Sequence, residues 1–336
     1  MTSNFAHICG SDELPERLRG GVVAIGNFDG VHRGHRAVLE RALGEAKRLG
    51  VPALVLTFEP HPRKLFRPDM PLFRLTDPAM KARLIDASGF EAIVEQRFDR
   101  DLANLTADEF IQEILVKRLG IRHAVTGFDF HFGKARGGGP AYLMKAGERH
   151  GFGVTLVDAF RDEGAEIVSS SRIRELLSKG EVAEAAGLLG YRFAVEGEVV
   201  GGKKLGRTLG YPTANMVLSD DIHLAHGIYA VRFRRADGSL HNGVASFGRR
   251  PTVTQDGAPV LETFLFDFSG DLYGETCRVS FFAFLRGEEK FDGLDALVVQ
   301  MKRDEEEARA VMGKAQPLGE LDAVLNFDLD ARQFME

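Results

Sequence analysis

Val22-Val23-Ala24-Ile25 is a short, wholly apolar and largely β-branched run, the pattern of a strand buried on both faces. Glycine-punctuated polar residues follow it, and from Gly34 the apolar positions recur at helical spacing as far as Arg48. Ala53 to Phe58 predicts a second buried strand, which Glu59-Pro60-His61-Pro62 should end, because prolines remove N–H donors and fix φ. A short helix is expected over 77–88, capped by Asp77 with Pro78 at its first position. Ile93 and Val94 mark a third strand. Thr106 and Glu109 have the spacing of a capping box, and Phe110, Ile111, Ile114, Leu115 and Leu119 continue a helical face. A strand over 123–126, a helix over 140–150 and a strand over 154–158 complete the alternation, with an edge strand and turn expected within residues 1–20. Strands alternating with helices predict an α/β domain built on a mostly parallel sheet.

Ser169-Ser170-Ser171 should cap a helix that continues through Arg172, Arg174, Leu176 and Leu177. Near residue 186 the pattern changes. Arg192 to Val200 partly alternates, and further strands are expected over 228–234, 239–246, 261–268 and 276–284. Several short strands with no helices between them predict an antiparallel barrel or sandwich. A helix over about 291–311 should pack on it, and over 312–336 Leu318, Leu321, Val324 and Leu325 suit a short packed helix, with a frayed tail as the alternative. The expected domains are therefore 1–185 and 186–336, the second including the C-terminal helical segment.

Composition narrows the functional classes. The formal net charge of -6 argues against a general nucleic-acid binder, which needs clustered Lys and Arg, although a local basic pocket for phosphates remains compatible with it. The two cysteines, Cys9 and Cys277, are far apart and form no C-x-x-C pair, so a disulfide scaffold is not expected and a reducing, cytoplasmic setting is. No secretory signal is visible near Asp12, Glu13 and Glu16, and no apolar run is long enough to span a bilayer.

Candidate chemistry clusters at turns. In G-N-F-D-G-V-H-R-G-H, residues 26–35, His32 and His35 stand where a strand gives way to a helix N-terminus, a place suited to a phosphate. Histidines hydrogen-bonded beside an ordinary turn would give the same text. Arg172 and Arg174 in the first turn of a helix conflict with its positive end, and a bound polyphosphate would resolve that conflict. The loop 201–215 combines glycines, basic residues and Pro212 with Thr213 and Asn215, oxygen donors suited to magnesium and phosphates; a long hairpin with basic solvent-facing residues is the alternative. Alternation over 261–268 predicts Glu262, Phe264, Phe266 and Phe268 on one face, opposite Leu261, Thr263, Leu265 and Asp267. A carboxylate beside an aromatic face is suited to accept a proton from a substrate hydroxyl, and a strand-end glutamate paired at the surface is the plainer reading.

These motifs, in this order, resemble the bacterial bifunctional riboflavin kinase/FAD synthetase family over nearly the whole chain. G-N-F-D-G-V-H-R-G-H, G-F-D-F-H-F-G at 127–133 and S-S-S-R-I-R at 169–174 resemble its adenylyltransferase half. G-R-T-L-G-Y-P-T-A-N at 206–215, N-G-V-A-S-F-G-R-R-P-T at 242–252 and L-E-T-F-L-F-D-F at 261–268 resemble its flavokinase half. The resemblance implies a nucleotidyltransferase-like Rossmannoid α/β domain followed by a mainly antiparallel β-barrel riboflavin kinase domain with a C-terminal helix. It implies ATP-dependent phosphorylation of riboflavin to FMN, then adenylylation of FMN to FAD and pyrophosphate. Mg²⁺ would be the cofactor, and flavins and adenine nucleotides the partners, with neither nucleic acid nor membrane. By resemblance, Gly26, Phe28, His32, His35, Ser170 and Arg174 serve ATP in the first half, with His32 and His35 catalytic, while Phe66, Asp129 and Phe132 lie at the flavin. In the second half Glu262 is the implied general base. Gly206 and Gly210 cover the nucleotide, and Thr213 and Asn215 organise Mg²⁺ and phosphates. The family usually continues with a glycine–aspartate pair where this chain has Gly137-Gly138-Gly139-Pro140, and commonly has threonine at Ser171. A flavokinase with weak adenylyl transfer and a flavin- and nucleotide-binding regulator without turnover are therefore kept as alternatives.

Overall fold

The structure is a computed structural model that describes residues 5–201, 211–249 and 258–329. The chain divides into two compact units, Met1–Ser170 and Ser171–Glu336. The first is built on six parallel strands: β1 (Ala6–Cys9), β2 (Val22–Ile25), β3 (Ala53–Glu59), β4 (Ala92–Arg97), β5 (His123–Gly127) and β6 (Gly153–Val157). Their order is β1-β4-β3-β2-β5-β6. β2 is buried at every position, which is why it reads as an unbroken apolar run. Helices fill the connections: α1 (Arg33–Leu49), α2 (Pro62–Phe66), α3 (Pro78–Ala87), α4 (Arg100–Asn104), α5 (Ala107–Glu109) and α6 (Pro140–His150).

The local signals act as physical chemistry requires. Asp77 accepts the Met80 N–H and Pro78 occupies the first position of α3. Thr106 and Glu109 form the reciprocal capping box. Beyond it the chain winds as a π-helix over Phe110–Arg118 instead of the expected α-helix, and the Leu119 N–H reaches back to the Ile114 carbonyl. Ile111, Ile114 and Leu115 still reach the core, because the wider turn keeps them on one side. β3 ends at Glu59, directly before Pro60, as expected. Pro62 then starts α2, and the His61 ring accepts the Arg63 N–H.

The second unit contains α7 (Ser170–Ser178) from its second residue onward and α8 (Val182–Leu189), which packs on the barrel strand β12. The sequence pattern did not predict α8; its apolar positions are closely spaced, and Gly190 in the left-handed region caps it. The barrel strands are β7 (Ala194–Val200), β8 (Thr213–Val217), β9 (Gly227–Arg234), β10 (Leu240–Arg249), β11 (Pro259–Leu265) and β12 (Thr276–Arg286). They close in the order β10-β11-β8-β7-β12-β9, with antiparallel pairing throughout. Leu261, Thr263, Ala245, Phe247, Tyr229, Val231 and Phe281 fill the interior. The face alternation expected over 261–268 holds only to Leu265. Asp267 adopts φ 55°, so the strand turns away and Phe268 leaves the Glu262 face.

Helices α9 (Leu294–Lys314) and α10 (Glu320–Asn326) follow the barrel; α9 lies on β9, β10 and β12 through Ala308 and Met312 against Ala230, Phe266 and Phe282. Leu321 and Leu325 of α10 are buried, whereas Val324 is exposed. Asp322 locks this end down. Fully buried, it pairs with the Arg192 guanidinium and accepts from the Arg192 and Leu318 backbone N–H groups and the Asn326 amide. Burial lowers the Arg192 pKa, and the facing Asp322 charge only partly opposes that, so each charge depends on the other. Asp322→Ala is expected to destabilise the second unit by about 3 kcal/mol, because it strands the buried guanidinium. Urea unfolding of that unit checks this, and an unchanged midpoint would show the pair to be dispensable.

Candidate functional site

In the first unit, connections from β2 wind outward through β3 and β4 on one side and through β5 and β6 on the other. The order therefore reverses between β2 and β5, and sheets of this kind bind ligands beyond the carboxyl ends of the strands at that reversal. Gly26 to His35 leaves β2 at this point, and Gly127 to Phe132 leaves β5.

The first loop is tightly shaped. Phe28, Gly30 and Val31 take φ values of 48°, 88° and 37°. The Phe28 ring folds back so closely that a Cβ on Gly26 would lie 3.1 Å from it. Asp29, 3 % exposed, accepts the Leu75 N–H at 3.0 Å and the Thr76 N–H at 3.1 Å. The Gly30 N–H donates to the Thr76 hydroxyl, and the Ser170 hydroxyl donates to the Asp29 carbonyl at 2.9 Å. Three segments distant in sequence thus converge on one turn.

His32 caps α1, its Nδ1 accepting the His35 N–H at 3.2 Å. In the neutral ring that acceptor role puts the proton on Nε2, making His32 a donor on its other side. His35 stacks on it with centroids 3.6 Å apart, and Phe28 meets His35 edge-on at 5.4 Å. The first turn of α1 carries Arg33 and no acidic residue. Helix N–H groups and two imidazoles assembled at one turn suit an anion with several oxygens.

The residues matched to the flavin are differently placed. Phe66 is 66 % exposed and meets Phe98 edge-on at 5.9 Å. Asp129 is exposed in the turn after β5. Phe132 is 7 % exposed and packs with Phe110, Phe130 and Tyr142 in the core. The loop at 137–140 is tightly packed. Gly138 bridges to Phe132 by two backbone hydrogen bonds, a Cβ on it would lie 2.6 Å from the Phe132 ring, and Pro140 starts α6. Ser170 lies in this unit, whereas Arg174, half-buried on the same helix, belongs to the second, so its assignment rests on the motif alone.

In the second unit the register does the assembling. Asn215 on β8 and Ser246 on β10 both stand directly opposite Glu262 on β11. Residues paired across antiparallel strands share a face, so these three form one row on the barrel exterior. The next row places Thr213 opposite Phe264, and the Asn215 amide donates to the Thr213 carbonyl at 3.1 Å. Tyr211 meets Phe264 edge-on at 4.8 Å. A cavity of about 340 Å³ lined by Val199, Val200, Gly201 and Tyr273 opens beside these rows, since Val200 is the partner of Asn215. Gly206 and Gly210 lie outside the described residues. Ser246 was missed as a neighbour of Glu262, because register between distant strands is not written in either strand.

The sequence pattern also gave no sign of the network beneath the first site. Lys81, 1 % exposed on α3, donates to Thr57 at 3.2 Å and Glu59 at 2.8 Å, and Arg74 holds the same carboxylate at 2.6 and 2.9 Å. Its only sequence trace is a lysine on the otherwise apolar inward face of α3.

A doubly wound α/β unit with a histidine-capped anion turn, joined to a barrel presenting a carboxylate beside hydroxyl and amide oxygens, defines a two-domain nucleotide-dependent transferase. Comparisons with known proteins make this particular. A family model for FAD synthetase matches residues 14–172, and one for riboflavin kinase matches residues 189–312. The chain is 41 % identical to the bifunctional riboflavin kinase/FMN adenylyltransferase of Escherichia coli K12, over 89 % of this chain and 95 % of that one. It is 36 % identical to the protein of the same name from Listeria monocytogenes, over 88 % and 93 %. A solved structure described as a macrolide-efflux protein from Streptococcus pneumoniae superposes with a TM-score of 0.81 at 33 % identity, covering 91 % of this chain and 98 % of that one. The chain therefore belongs to the bifunctional riboflavin kinase/FMN adenylyltransferase family, and is an enzyme that makes FMN and then FAD. No described helix is long and apolar enough to cross a membrane.

Burial pushes the Glu59 carboxyl up, but Lys81 and Arg74 outweigh it and hold the group below its ordinary value near 4.5. The stabilisation is therefore complete above that value and is lost as pH falls through the lower folded one. Glu59→Gln should destabilise the first unit clearly at neutral pH and progressively less toward pH ~3. Urea titrations of both proteins across that range check this, and a pH-independent difference would remove the charge argument.

Proposed function

We propose that the two reactions are divided between the halves of the chain, adenylyl transfer in residues 1–185 and flavokinase in 186–336. The family models lie within those limits. The observation that carries the proposal is the contrast between the two sites: imidazoles and helix N–H groups at one, and a carboxylate in register with neutral oxygens at the other.

That contrast matches the chemistry. FMN attacks the α-phosphorus of ATP with a phosphate oxygen already anionic, so the first half needs no base. His32 and His35, with Gly26 and Phe28 shaping their turn, bind the ATP phosphates and offset charge as the bond to pyrophosphate breaks. Ser170 supports that turn from behind, and Asp129 and Phe66 line the flavin side. Phe132 acts one layer deeper, by holding the loop.

Riboflavin attacks the γ-phosphorus with an uncharged alcohol, and Glu262 takes its proton as the new oxygen–phosphorus bond forms. The nearby set of amide, hydroxyl and carboxylate oxygens fits a hard cation, so Asn215 and Thr213 would hold Mg²⁺. When bound, Mg²⁺ supplies charge neutralisation on the nucleotide phosphates.

Purified protein incubated with riboflavin, ATP and Mg²⁺ should yield FMN first and FAD after it when products are resolved over time. Glu262→Gln should slow FMN formation by roughly 10²–10⁴-fold and leave FAD formation from supplied FMN near wild type. His35→Ala should do the converse; it is preferred to a His32 change, which would also remove the cap of α1. Equal loss of both reactions in either folded variant would overturn the division. FMN without FAD, even from supplied FMN, would favour the flavokinase reading, and absence of both products the regulator.

A further inference from the structure

We propose that the edge of the parallel sheet carries a site for a borderline-soft divalent cation of the zinc class, held by His7, Cys9 and Glu95. His7 and Cys9 are two apart on β1 and so share a face, while Ile8 between them turns into the core at 7 % exposure. The register places Cys9 beside Glu95 of β4, which puts all three side chains on that same face. One ligand atom from each lies within 4.8 Å of the other two, and this is the only such His/Cys/Asp/Glu group among the described residues.

Two observations separate this group from a chance surface cluster. The Glu95 side chain is 9 % exposed, and its Oε2 lies 3.0 Å from His7 Nε2. Its other oxygen, Oε1, is buried with no hydrogen-bond partner. A His–Glu pair accounts for one carboxylate oxygen and leaves the second unsatisfied, a cost that a bound cation removes. The distances are also attainable. Ligands at Zn–S of about 2.3 Å and Zn–N of about 2.0 Å in a tetrahedron stand about 3.4 Å apart. His7 and Cys9 are both exposed and can close that last ångström by rotamer changes. Three protein ligands leave a fourth position for water.

The mixed nitrogen, sulfur and oxygen set is wrong for magnesium, which takes oxygen ligands in an octahedron. The site is thus chemically distinct from any that serves nucleotide phosphates. On binding, the Cys9 thiol gives its proton to solvent as the sulfur–metal bond forms, with no change of oxidation state. The metal would pin the short edge strand to its neighbour.

Cobalt(II) reports the thiolate directly. The full-length protein, dialysed against chelator and titrated with Co²⁺, should develop a thiolate-to-cobalt charge-transfer band in the near ultraviolet that saturates at one equivalent. Zn²⁺ should bleach it, and excess Mg²⁺ should not. Cys9→Ser should abolish the band, Cys277→Ser should retain it, and His7→Ala and Glu95→Gln should each weaken binding at least about tenfold. Far-ultraviolet circular dichroism confirms that each variant is folded. No band in the wild-type protein, or a band whose affinity is unchanged in folded His7→Ala and Glu95→Gln, would overturn the site.

Discussion

The buried Asp29 carboxylate is the point on which the first site depends. A turn with three positive-φ residues among the four from Phe28 to Val31 leaves backbone donors and acceptors that must be satisfied. Asp29 draws in Leu75 and Thr76, Thr76 in turn receives the Gly30 N–H, and the Asp29 carbonyl receives Ser170. Releasing any one of these would leave a buried polar group unpaired, so the turn, the approach to α3 and the start of α7 hold one another. The stacked histidines are precise because this frame beneath them is.

The two sheets assemble their candidate sites in different ways. A parallel sheet with a reversal in strand order leaves a crevice at its carboxyl edge, and every strand delivers a loop to that edge. Loops and helix starts supply the side chains at that edge, as with His32 and His35. A closed antiparallel barrel has no such crevice, and a site on it is assembled sideways, by register between neighbouring strands. Asn215, Glu262 and Ser246 come from three strands and share a row only because the pairing is in phase.

The loop at 137–140 is shaped by packing. The Phe132 ring occupies the space where a Gly138 side chain would stand, and Pro140 supplies a helix start. The absence of the family's aspartate has no structural explanation. Phe132 itself belongs to the core behind this loop.

Much of the architecture was legible in the residues themselves. Buried parallel strands announced themselves as apolar runs, and Asp77-Pro78 and Thr106–Glu109 marked helix starts, because strand burial and helix capping are local interactions. The paired histidines and Glu262 were likewise visible, carried by motifs. Helix α8, the helical turn after Pro60 and the end of β11 at Leu265, ahead of the turn at Asp267, escaped because each turns on a backbone conformation that neighbouring residues allow but do not demand. The Lys81–Glu59–Arg74 network, the Asp29–Thr76 link and the Glu262 row were decided only by the tertiary structure. Each joins residues far apart in the chain, and no periodicity records which distant side chain will meet a buried charge.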